Sequence, residues 1–151
     1  LCAENVTGLK SATEASGSGS KMQEAGGKSL RSIRSYEDLL VYQSSYQMAL
    51  VVHRLTLSFP DYEKYELGSQ LRKATKSIAL NIAEGYGKRK SANEFKRFLS
   101  MAIGSCDETK VLISFAGDLG YFSQAQCFEL KSEYDTIGKM LYRLHSNWKQ
   151  R

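Results

Sequence analysis

Residues 91–120 read SANEFKRFLSMAIGSCDETKVLISFAGDLG, and this stretch decides the fold class. Ser91, with Glu94 three residues on, has the form of a capping box, in which a hydroxyl and a carboxylate satisfy amides that a helix leaves open at its start. Behind it Phe95, Phe98, Leu99, Ala102, Cys106, Thr109, Leu112, Ile113 and Ala116 recur at helical spacing, and Gly120 supplies a cheap left-handed stop. The pattern predicts the longest and most apolar helix of the chain.

Downstream, Ser123 and Gln126 open a second helical run. Its Leu130, Tyr134, Ile137, Leu141, Leu144 and Trp148 alternate by four and three, the rhythm of a bundle seam. Upstream, Leu71, Ala74, Ile78 and Ile82 share one face of a helix that begins between residues 67 and 70. It is expected to stop at Gly85 and Gly87, and small Ala74, Ala79 and Ala83 would admit a close neighbour. Earlier still, Ser35 and Asp38 precede Leu39, Tyr42, Tyr46, Ala49, Leu50, His53 and Leu57, which run to Phe59 and Pro60 and predict one helix of about six turns. Pro60 is the single proline of 151 residues, so long stretches lack the strongest helix breaker. The expectation is an all-α protein, an antiparallel up-down-up-down four-helix bundle over residues 35–151.

Residues 1–34 hold eight serines and threonines and five glycines, and cannot bury a core; they read as a flexible Gly/Ser-rich tail. The chain opens on Leu1 while Met22 stands just before the body, which points to residues 1–21 as vector-derived or translated from an upstream start. Cys2, Cys106 and Cys127 are an odd set without CxxC spacing, which argues against a disulfide framework or structural zinc and for a reducing, cytoplasmic compartment. No apolar run has the length of a membrane span, so no membrane partner is expected.

Catalytic chemistry finds little support. A di-metal site in a bundle needs carboxylates and Glu-x-x-His pairs, but Leu50 and Tyr142 stand three residues before His53 and His145, so no metal is expected. His53, on the apolar stripe, reads as a core or interface residue, and Cys106 and Cys127 as small apolar fillers. The run Gly85-Tyr86-Gly87-Lys88-Arg89-Lys90-Ser91 leads into a helix as a phosphate loop does. It lacks the GxxxxGK[ST] spacing and a preceding strand, so no nucleotide cofactor is expected. Asn81 and Glu84 sit one turn apart and read as structural, the amide turning to Ser77 or a neighbouring helix and the carboxylate to Arg72, Lys88 or the amides of the next helix.

Charge is the remaining signal. Arg72, Lys73, Lys76, Lys88, Arg89, Lys90, Lys96 and Arg97, against Glu84 and Glu94, give this window +6 in a chain of net charge +5. Such a cluster around one helix end would neutralise phosphates with weak sequence preference, and Tyr86 within it, with Tyr65 near it, would offer rings for unpaired bases. The alternative is a solvated face, or an adaptor whose basic face docks an acidic protein.

Several runs carry a resemblance. Phe59-Pro60-Asp61-Tyr62-Glu63, Gln70-Leu71-Arg72-Lys73-Ala74, Ser77-Ile78-Ala79-Leu80-Asn81-Ile82-Ala83-Glu84-Gly85, Phe95-Lys96-Arg97-Phe98-Leu99 and Ala102-Ile103-Gly104-Ser105-Cys106-Asp107-Glu108 resemble, in order, the motifs of the 23S rRNA intervening sequence protein family. The resemblance spans roughly residues 35–148. It implies a four-helix bundle, often homo-oligomeric, encoded in some bacteria within insertions of the large ribosomal RNA gene. That family is similar to the accessory variability protein of diversity-generating retroelements, a basic homopentamer that binds nucleic acid and a reverse transcriptase. The implied role is a non-enzymatic ribonucleoprotein scaffold, pentameric by resemblance, with RNA or DNA and a protein such as a reverse transcriptase as partners. Ala79 and Tyr42 depart from the proline and tryptophan common in the family, and Ala79 permits an uninterrupted second helix.

Overall fold

The computed structural model describes residues 33–149, so the expected tail lies outside the described residues except for Ile33 and Arg34. A 3-10 turn, Tyr36–Asp38, precedes α1 (Leu40–Thr56), α2 (Asp61–Tyr65), α3 (Leu67–Gly87), α4 (Ala92–Asp118) and α5 (Gln124–Asn147). Four of the five helices are long. Among the described residues there is no strand, and no helix is long and apolar enough to cross a membrane.

The core follows the apolar stripes of α3, α4 and α5. Leu71, Ile78 and Ile82 meet Phe95, Leu99 and Ile113, and Tyr134, Ile137 and Leu141 close the other side, all of them at 1% exposure or less. Burying each such side chain is worth roughly 1.5–3 kcal/mol relative to water. The helices come close where side chains shrink. A Cβ added at Gly85 would stand 2.6 Å from the Phe98 Cβ, and one at Gly117 would stand 2.5 Å from the Cys127 Sγ. Gly85 therefore serves the α3–α4 packing; it is not the positive-φ stop expected from sequence. Among the described glycines only Gly120, at φ 81°, adopts that conformation. There Tyr121 N–H donates to Ala116 O at 2.8 Å and Gly120 N–H to Gly117 O at 3.0 Å, the paired bonds of a Schellman stop.

The first helix differs most from expectation. Ser35 and Asp38 do form a capping box, but on the 3-10 turn; Leu39 then takes an extended conformation (ψ 118°) before α1 begins. The six-turn helix is thus a short turn and a 17-residue helix. Its buried face is also rotated from the expected stripe: Val41, Ser45, Met48, Ala49, Val52 and Thr56 face inward, whereas Tyr46 and Leu57 are exposed and His53 is half-buried. Ser45 and Thr56 can sit inside because each hydroxyl donates to a carbonyl of its own helix, Val41 O at 2.6 Å and His53 O at 2.8 Å.

Sequence reading also omitted α2, too short for a periodic signal. Pro60 ends the preceding segment and caps α2, and Asp61 and Glu63 lie in its first turn, where the helix dipole favours acids. At the start of α4 the Ser91 hydroxyl accepts from Glu94 N–H at 3.3 Å, while the Glu94 carboxylate turns to Arg97 at 3.7 Å, leaving half of the expected box. The box at Ser123 and Gln126 is complete.

Candidate nucleic-acid interface

The turn from α3 to α4 is built to show its cations. Lys88 caps α3 with its N–H on Gly85 O at 2.9 Å, and the residues that follow carry positive charge past a helix C-terminus, where the dipole is negative. Lys88, Arg89 and Lys90 are exposed. The charged groups of Lys88 and Arg89, with that of Arg97 on α4, stand over buried rings: Lys88 Nζ is 4.5 Å from the centre of the Phe98 ring, the Arg97 guanidinium is 5.3 Å from it, and the Arg89 guanidinium is 4.2 Å from the centre of Tyr86. Arg89 also donates to Tyr86 O at 3.0 Å. These ring contacts hold the cations at the surface and lower the entropy lost when they meet an anion. Two exposed carboxylates answer them weakly, Glu84 at 3.4 Å from Lys88 and Glu94 at 3.7 Å from Arg97.

Tyr86 itself is 5% exposed. Phe95 and Trp148 stand edge-on to it at 6.2 and 6.4 Å, Arg89 covers one face, and its hydroxyl donates to Ile33 O at 3.3 Å. The expectation that Tyr86 would stack on an unpaired base is corrected: the ring is a pedestal for Arg89. The same contacts bring Ile33 and Trp148, from the two ends of the body, to this turn. Sequence reading did not join Ile33 and Trp148 to this turn because they lie more than fifty residues from Tyr86 along the chain, although a lone tryptophan at the end of α5 was an available signal.

The remaining expected residues separate. Arg72 lies sixteen residues before Lys88, about 24 Å along a helix rising 1.5 Å per residue. Its guanidinium is turned inward, donating to Thr56 Oγ1 at 3.0 Å and to Lys64 O at 2.6 Å, and so fastens α1 and α2 to α3. Lys73 and Lys76 are exposed on the first half of α3, Lys96 is half-buried and Arg97 exposed on α4. The +6 window is therefore two groups, with a compact one at residues 88–97. Tyr65, 80% exposed, belongs to the far end with α2.

In the NIAEG run the Asn81 amide turns to Ser77 and the Glu84 carboxylate to Lys88, two of the partners expected for them. Asn81 donates to Ser77 O at 2.8 Å and Ser77 Oγ at 3.1 Å, and Ser77 pairs with Ser105 of α4 at 2.9 Å. Between α4 and α5 a cavity of about 170 Å³ is lined by Cys106, Asp107, Lys110 and Asp135 among others. Lys110 spans it, 3.0 Å from Asp107 and 3.2 Å from Asp135, and these partners raise its pKa. Burial pushes the Cys106 thiol up to about 11, and the thiol donates to Tyr134 O at 3.1 Å, so it is a poor nucleophile and a useful filler. Burial likewise raises Tyr134, whose hydroxyl has no hydrogen-bond partner among the described residues.

Comparison with known proteins places this geometry. The model of the family described as 23S rRNA-intervening sequence protein matches residues 37–143. A crystal structure of a protein of unknown function from the S23 ribosomal protein family of Bacteroides thetaiotaomicron superimposes with a TM-score of 0.66 at 20% identity, covering 72% of this chain and 96% of that one. At that identity the likeness is one of fold. No curated protein matches.

Proposed function

The chain belongs to the 23S rRNA-intervening sequence protein family, and from that premise we propose that it is a non-enzymatic, homo-oligomeric four-helix bundle that binds nucleic acid through residues 88–97. The observation that carries this reading is the α3–α4 turn, where Lys88, Arg89 and Arg97 are held over buried rings at the surface. Phosphates are the partners such a fixed set of cations suits, with affinity that falls as salt rises. Lys73, Lys76 and Lys96 extend the charge along α3 and α4, whereas Arg72 contributes through the fold.

We read the chain path as antiparallel up-down-up-down. Short links support it, as do the pairings Ser77 with Ser105, Gly85 with Phe98, Cys106 with Tyr134 and Gly117 with Cys127, in which one number rises as the other falls. Oligomerisation belongs to the same reading: Met101, Val111 and Phe115, each about half exposed, share one side of α4, and a bundle leaves such residues in water at a cost unless a neighbour covers them. Repetition of the 88–97 turn around an oligomer multiplies phosphate contacts and gives avidity that one protomer lacks. The pentamer and a protein partner such as a reverse transcriptase, taken from the family resemblance, and the cytoplasmic location, taken from the odd cysteine set, are further parts of the proposal.

Size-exclusion chromatography with light scattering, run on the chain with a structured RNA fragment at low and moderate salt, tests it. The expected result is a discrete oligomer that carries RNA at low salt and releases it as salt rises. A monomer that ignores RNA at both salts would overturn the reading and leave the adaptor, with an acidic protein as the partner of the same turn.

A further inference from the structure

The end of the body away from residues 88–97 has the opposite character. The α1–α2 corner and the α4–α5 turn are held together there: the Phe59 ring packs 5.3 Å from Tyr121 and 5.1 Å from Phe122, and Tyr121 donates to Glu63 Oε1 at 3.0 Å. Around this seam five large apolar side chains face water, Leu57 at 54%, Tyr62 at 68%, Tyr65 at 80%, Leu119 at 56% and Phe128 at 76% exposure. Apolar residues exposed singly are ordinary; five on one end of a small bundle mark a surface that is covered in use. The corner beneath is stiff, because Arg72 holds Lys64 O and the Glu63 carboxylate accepts from Leu67 N–H at 3.3 Å.

Charge identifies what covers it. Residues 57–66 and 118–129 contain Asp61, Glu63, Glu66, Asp118 and Glu129, against Lys64 alone, and Lys64 is already paired with Asp61 at 2.9 Å. Carboxylates beside exposed tyrosine faces receive guanidinium and ammonium groups by Coulomb attraction and by cation–π contact together. The matching surface is on the same molecule: the exposed Lys88, Arg89 and Arg97, with Ile33 and Leu40 exposed at that end for apolar contact. A single chain cannot join its own two ends, since the 21 residues of α3 set them about 30 Å apart.

We propose that the acidic, tyrosine-bearing end docks onto the 88–97 end of a second copy of this chain. The contact is heterologous, so each added copy leaves one end of each kind open and association propagates end to end. Its consequence rests on the nucleic-acid reading above: RNA and the second copy contend for the same cations, and stacking masks the interface until RNA displaces it.

Sedimentation velocity of the full chain tests the contact, comparing the wild type with a tip variant, Glu66→Lys with Asp118→Lys, and a turn variant, Lys88→Glu with Arg89→Glu. All four side chains are exposed, and circular dichroism with a melting curve checks that both variants fold. In the wild type at low salt the sedimenting species is expected to grow with concentration by multiples of its basal oligomer, a growth lost at moderate salt. Each variant alone is expected to lose that growth, and an equal mixture to regain it, because the reversed turn meets the reversed tip. Growth that survives in the folded tip variant, or folded variants that stay apart when mixed, would overturn the proposal. RNA retention distinguishes the two readings. A tip variant that carries RNA but sediments as the wild type does overturns the docking alone. A wild type that stacks and never carries RNA overturns the nucleic-acid reading alone.

Discussion

Arg72, on the first half of α3, and Arg89, in the turn that follows it, carry the same charge and fall in the same basic window, yet the fold uses them in opposite ways. Arg72 spends its guanidinium on Thr56 and on Lys64 O, joining three helices. Arg89 stands with its guanidinium 4.2 Å from the centre of the Tyr86 ring and remains exposed. Proximity in sequence thus says little about a shared surface once about 24 Å of helix intervenes. What decides a cation's role is whether carbonyls or rings wait beneath it.

The largest expected effect falls on the 88–97 end. Reversing Lys88, Arg89 and Lys90 to glutamate is expected to reduce RNA affinity by orders of magnitude and flatten its salt slope by up to about 3, one for each phosphate contact removed. Filter binding across a salt series measures both. The same triple variant should melt within several degrees of the wild type, because the contacts given up by Lys88 and Arg89, the pair with Glu84, the bond to Tyr86 O and the two ring contacts, are made by exposed side chains.

At the other end the pattern inverts. Arg72→Met is expected to lower stability by about 1.5–3 kcal/mol, the range for losing hydrogen bonds from a charged donor and stranding Lys64 O. Chemical denaturation measures the loss, and RNA affinity of the folded variant should stay near that of the wild type. A folded Arg72→Met that loses RNA as the triple reversal does would place both arginines on one surface and break the comparison.

Gly85→Ala probes the pedestal under the turn. Its Cβ would lie 2.6 Å from the Phe98 Cβ and 2.9 Å from Phe95 Cδ2, so α3 and α4 must part, at a cost of about 1–3 kcal/mol. A melting curve unchanged from wild type would show that the close approach is not needed.

The smallest effect is expected from Tyr86→Phe. It removes one hydrogen bond to Ile33 O, about 0.5–1.5 kcal/mol, and keeps the ring under Arg89. RNA affinity should not change; a large loss on removing this hydroxyl would restore Tyr86 to direct contact with the ligand.

The stripes of α3, α4 and α5 were legible in sequence because each recurs unbroken at helical spacing, although Leu80, Met101, Val111, Phe115 and Phe128 leave further apolar side chains exposed on the outer faces. Every residue assigned to the face of α4, from Phe95 to Ala116, is buried. The face of α1 was not legible, since Leu40, Tyr42, Tyr46, Leu50 and Leu57 make a second apolar side and the hydroxyls of Ser45 and Thr56 disguise the true one. The candidate site was legible as charge and illegible as geometry. No spacing rule reveals that Arg72 turns inward, that Tyr86 is buried beneath Arg89, or that Ile33 and Trp148 arrive at the same turn, because these facts depend on contacts between residues far apart in the chain.

The most direct test of the central claim is RNA retention on filters over a salt series for the wild type, Arg72→Met and the Lys88, Arg89 and Lys90 reversal, measured side by side at a temperature where all three are folded. The wild type and Arg72→Met are expected to share one affinity and one steep slope, and the reversal to lose both. Equal retention by all three, or none by the wild type at low salt, would contradict it.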